Sequence, residues 1–104
     1  MGTGELPLAT AQVGAWSLSY LGPGFHVHLR IASHARGSRL DGFMSPAEPA
    51  TVLLVSVQTQ EVVAETSVTP AGRFEFGTCP PGACRLMFLV PDLDKPVLTP
   101  PFWS

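Results

Sequence analysis

Hydrophobic and polar side chains alternate with a period of two along most of this chain. The cleanest run is 25–31. There Phe25, Val27, Leu29 and Ile31 fall on one face and His26, His28 and Arg30 on the other, which predicts a half-buried strand. Trp16, Leu18 and Tyr20 alternate against Ala15, Ser17 and Ser19, giving an earlier strand over 15–20. Gly22-Pro23-Gly24 is a turn between the two. A polar loop is expected over 33–38, then a short strand over 39–44 closed by Pro46 and Pro49. Residues 50–69 contain neither glycine nor proline, and half of them are valine or threonine. That favours strand over helix, and the length requires a fold-back near 58–61, giving strands at 51–58 and 62–68. After Pro70-Ala71-Gly72 comes a strand over 73–76 with Phe74 and Phe76 inward. After Pro80-Pro81-Gly82 comes another over 83–90 with Leu86 and Phe88 inward. A loop follows, then a last strand over 97–103 that Pro100 and Pro101 confine to an edge. Short strands at even spacing predict an all-β antiparallel sandwich of about seven strands, formed by residues 15–104. Residues 1–14 read as a flexible N-terminal arm.

Composition narrows the picture. The chain has 104 residues with ten glycines and eleven prolines, the length of one domain and too many breakers for a helical bundle. Apolar residues make up 45% and charged ones 13%, which argues against disorder. The net charge is -2 and Lys95 is the sole lysine, so nucleic acid is not an expected partner. Residues 1–14 show neither a basic region nor an apolar run of the secretory kind, and Leu6 replaces the Ser or Thr of a myristoylation motif. The longest apolar stretch, 50–57, is short of the ~20 residues that span a bilayer. A cytoplasmic protein without a membrane partner is the expectation.

Several motifs together carry a family resemblance. Ala50-Thr51-Val52, Glu65-Thr66, Ala71-Gly72-Arg73-Phe74-Glu75-Phe76 and Pro80-Pro81-Gly82-Ala83-Cys84-Arg85-Leu86 resemble the carboxypeptidase regulatory-like domain, a transthyretin-like (prealbumin-like) β-sandwich. The shared order is a strand, a turn ending in glycine, an aromatic-x-aromatic strand, a Pro-x-Gly turn and an aliphatic strand. Gly72 and Gly82 suit the positive φ of tight turns. Leu18-Ser19-Tyr20, residues 25–31, Ser38-Arg39-Leu40-Asp41-Gly42, residues 46–52 and Val97-Leu98-Thr99 are also similar to small uncharacterised actinobacterial proteins encoded near sigma factors and caspase-like CHAT proteins. The resemblance implies the sandwich fold and says little about activity. Enzymes similar in fold carry features this chain lacks. The hydroxyisourate hydrolases end in Tyr-Arg-Gly-Ser, where this chain reads Pro101-Phe102-Trp103-Ser104. Iron dioxygenases use two tyrosines, and Tyr20 is the sole one here. Self-linking pilin-type domains need asparagine, which is absent.

Candidate chemistry is sparse. His26, His28 and His34 suggest a metal, because His-x-His puts two imidazoles on one strand face. That face is the polar one, and no acidic or thiol ligand follows at ligand spacing, so surface histidines are expected. Cys79 and Cys84 flank a turn. Buried thiols are the expectation and a disulfide is the alternative; in the family pattern both positions are apolar core. Gly-x-Ser-x-Gly is absent, and Glu61, Glu65 and Glu75 read as solvated strand carboxylates. Trp16 is assigned to packing, and Trp103 to the sandwich end or an interface. No catalytic, cofactor or metal site is expected.

The informative departure lies in 51–58. Val52 and Leu54 serve the inner face, yet Leu53, Val55 and Val57 occupy the outer one, which a solvated sheet would make polar. These three are the candidate protein-contact surface, for a protein partner or a homodimer. The alternative is cover by the arm through Leu6, Leu8 and Val13. The function expected is a non-enzymatic protein-interaction or regulatory module. The alternatives are a carbohydrate-binding module and, third, a metal-dependent hydrolase using His26 and His28.

Overall fold

A computed structural model describes residues 15–34 and 37–103. Among them nine strands form: β1 (Ala15–Gly22), β2 (Phe25–His34), β3 (Gly37–Ser45), β4 (Thr51–Ser56), β5 (Val62–Ser67), β6 (Arg73–Cys79), β7 (Ala83–Leu89), β8 (Val97–Leu98) and β9 (Phe102–Trp103). They make the expected sandwich of two antiparallel sheets. One sheet has the order β1-β2-β3-β6; the other has β5-β4-β7-β8, with β9 also paired to β7. The arm expected over 1–14 and the packing role of the Trp16 side chain lie outside the described residues.

The chain changes sheet after β3, after β5 and after β6. Each crossing carries the residues that stop a strand: Pro46 and Pro49, Pro70 and Gly72, then Pro80, Pro81 and Gly82. Gly72 and Gly82 have φ of 86° and 113°, as those turns require. A Cβ on Gly72 would also meet the Met44 carbonyl oxygen at 2.5 Å, while the Gly72 carbonyl accepts the Met44 N–H at 2.7 Å. Pro100 and Pro101 cannot donate to the ladder on β7. Thr99 takes over: its N–H donates to the Leu86 carbonyl at 2.9 Å and its Oγ1 accepts the Leu86 N–H at 3.0 Å.

The inner faces hold the core. Phe25, Val27, Leu29, Leu40, Val52, Leu54, Phe74, Phe76, Leu86 and Phe88 are all buried, as the alternation requires. Phe88 is central, with ring centroids 5.8 Å from Phe25 and 5.6 Å, edge to face, from Phe74.

Two β-bulges change the phase of the alternation. Between the Leu40–Phe76 and Ser38–Cys79 pairs, β6 carries one residue more than β3. Phe76 and Cys79, three apart, therefore both face inward. The second bulge lies in β5, where Leu54 pairs with Ala64 but Val55 pairs with Val62. It places Val62 and Val63 together on the outer face. The loop expected over 33–38 is shorter than that: Ser33 pairs with Ser38 and His34 with Gly37. Polar composition there does not end the strands: the β2–β3 ladder runs on through Ser33 and Ser38, with Ser38 buried. Glu61 precedes β5 in the β4–β5 turn instead of lying on a strand.

Cys79 and Cys84 are thiols, both buried. Burial first, and the nearby Cys84 second, push the Cys79 thiol from 9.0 up to about 11. In the unfolded chain it ionises at its ordinary value. Its contribution to stability is therefore whole below about pH 9 and is lost as the pH rises towards 11, because only the unfolded chain gains by ionising. Melting temperature should decline over that window, less steeply in Cys79→Ala; equal slopes would refute the assignment. A thiol reagent should find both cysteines inert in the folded protein and reactive after denaturation without reductant.

Candidate functional site

The two outer faces of the sandwich differ in chemistry. On the four-stranded sheet, cross-strand pairs place Ser19 beside His28, His28 beside Phe43, Arg30 beside Asp41, and Asp41 beside Glu75. Arg39 joins Asp41 and Glu75 at 3.2 and 2.8 Å. These are exposed pairs and contribute little to stability. The Ser19 hydroxyl donates to Nδ1 of His28 at 2.8 Å when the imidazole proton sits on Nε2. His26 and His28 stand with ring centroids 4.6 Å apart. Among the described residues no group of three His, Cys, Asp or Glu side chains could hold a metal, and no carboxylate bonds to His28 to orient it as a base. An open groove of about 660 Å³ crosses this face, with Arg30, Asp41, Phe43 and Glu75 among its walls. The Arg73 guanidinium lies 5.2 Å from the centre of the Phe43 ring, in cation–π range.

The five-stranded sheet presents a mostly apolar outer face. Its rows follow from the register. Glu65, Leu53, Met87 and Leu98 form one, and Val62, Val55 and Arg85 the next. Beyond β4, the Val57 N–H donates to the Ala83 carbonyl at 3.1 Å, and Ala83 pairs with Trp103. Leu53, Val55 and Val57 thus share one side of one strand line. Their exposure is modest: Leu53 and Val57 are half-buried and Val55 keeps 8%. The surface is carried further by Trp103, expected at the sandwich end or an interface, and by neighbours that the sequence did not single out. Val62 is 53% exposed, Leu98 47% and Trp103 67%, with Val63 and Leu89 also exposed. A signal for part of this was present, since Met87 and Leu89 alternate with the buried Leu86 and Phe88 just as Leu53 and Val55 do with Val52 and Leu54.

No protein-family model, curated protein or solved structure matches this chain. Among the described residues no helix is long and apolar enough to cross a membrane.

Proposed function

We propose that this protein is a non-enzymatic protein-interaction or regulatory module of the carboxypeptidase regulatory-like, transthyretin-like kind, and that it works through the outer face of the five-stranded sheet. One observation carries the reading. That face gathers Leu53, Val55, Val62, Met87, Leu89 and Leu98 on a single sheet surface, whereas the opposite sheet shows water a face of arginines, carboxylates and histidines. Of these Val62, Leu89 and Leu98 are exposed and the others partly covered, and apolar surface gathered in this way marks contact sites. The family part of the reading rests on the order of elements: β5, the Gly72 turn, the Phe74-x-Phe76 strand, the Pro80-Pro81-Gly82 turn and β7. A cytoplasmic location goes with it, in keeping with two buried thiols.

The test is affinity purification from the native cell, with mass spectrometry of what co-elutes, comparing wild type with a Val62→Lys, Leu98→Glu variant. Both positions are exposed, so the fold should persist. A co-eluting protein, or a second copy, should be lost in the variant. Identical recovery with both proteins would remove the reading.

A carbohydrate-binding module is the second reading, favoured by the exposed Phe43 beside the carboxylates of Asp41 and Glu75 in the groove of the other face. Arg73 already covers one side of that ring, which ranks this reading below the first.

A further inference from the structure

The geometry points to a second copy of this chain as the occupant of the apolar face, docked sheet to sheet about a two-fold axis that runs along β4. This rests on the interaction reading above and names its partner. The argument is the placing of two charges. Glu65 and Arg85 stand on the two strands that flank β4, Glu65 in the row of Leu53 and Met87, Arg85 in the adjacent row with Val55 and Val62. Neither has an ion-pair partner among the described residues, where the ion pairs are those of Arg39.

A two-fold axis along β4 lays β5 of one copy over β7 of the other. Each Arg85 then stands above Val62 of the second copy, one row along the strand from its Glu65, a step of about 7 Å that an arginine side chain can span. Symmetry makes the contact twice. On the axis Leu53 meets Leu53 and Val55 meets Val55 of the second copy, while Met87 lies against its Glu65 and Val62 under its Arg85; Leu98 on β8 lies past its edge strand β5. Face-to-face sheets pack about 10 Å apart, close enough for these side chains to interdigitate. An isologous interface needs a patch that complements itself. One acidic and one basic residue on opposite sides of an apolar strand meet that need, and a patch of one sign would not.

The test uses the full chain and sedimentation velocity over a range of concentrations. Wild type should associate to a dimer. Arg85→Glu alone sets carboxylate against carboxylate at both symmetry-related contacts, and Glu65→Arg alone sets guanidinium against guanidinium. Each should weaken association about a hundredfold, the scale of like-charge juxtaposition at an interface. Mixing the two variants should restore a dimer, since every facing pair is then of opposite sign. A wild type that is monomeric at all concentrations overturns the proposal. So does a dimer indifferent to both variants, or one that mixing fails to restore. If wild type is monomeric yet a different protein is captured and lost in the Val62→Lys, Leu98→Glu variant, the dimer falls and the interaction reading stands. If neither association occurs, both fall.

Discussion

Phe88→Ala is expected to cost about 3–5 kcal/mol, the range for removing a fully buried aromatic side chain. Phe88 has 0% exposure and touches core residues of both sheets. Its ring meets Phe25 of β2 and Phe74 of β6 across the gap, while its own strand β7 belongs to the other sheet. Its loss therefore opens a cavity between layers, and the rigid ladders on each side limit how far that cavity can collapse. Small domains have roughly 5–15 kcal/mol in total, so a large part of the stability goes with one side chain. For about 100 residues each kcal/mol shifts Tm by roughly 4–8 °C. A thermal melt should thus fall by roughly 12–40 °C. A fall below about 5 °C would mean that the two sheets do not meet at Phe88.

Gly42→Ala is expected to cost about 1–3 kcal/mol by overpacking, although glycine is usually the weaker residue in a strand. Gly42 pairs with Leu29 on one side and Phe74 on the other, on the inner face of β3. The Phe74 ring lies over it, so that a Cβ on Gly42 would fall within the ring's van der Waals envelope. The ring cannot simply swing away, because its other side packs edge to face on Phe88. Phe74→Leu in the Gly42→Ala background should recover part of the loss, and a double-mutant cycle in denaturant measures the coupling. Additive costs would show that the glycine and the ring are independent.

These two residues also mark what the sequence made legible and what it did not. The aromatic-x-aromatic strand, the inward rows of β2, β4 and β7, and the proline and glycine crossings are local signals. They follow from period-two alternation and from backbone chemistry, and the structure repeats them. Gly42 gave no such signal, since its reason is a ring thirty-two residues away in sequence and adjacent only across the ladder. The same holds for the bulges. Alternation counted from Phe74 and Phe76 puts Thr78 inside, but the extra residue in β6 turns Cys79 inward instead. Alternation in β5 likewise separates Val62 from Val63, while the bulge sets both outside, where they enlarge the apolar face. Register between strands is set by tertiary pairing, and no single strand's sequence records it. Leu53, Val55 and Val57 mark the apolar outer face in the sequence; the side chains with most surface on it, Trp103, Val62 and Leu98, come from strands too short or too irregular to announce one.

Oxidative footprinting of the intact protein at increasing concentration tests most directly whether that face is covered. Leu21, 87% exposed on the edge of the other sheet, and Phe43, 49% exposed on its polar face, serve as internal references. Met87 and Leu89 on β7 should lose reactivity relative to both references as concentration rises. Reactivity at those two positions that stays in constant proportion to Leu21 and Phe43 at every concentration would contradict a face built to receive a second copy.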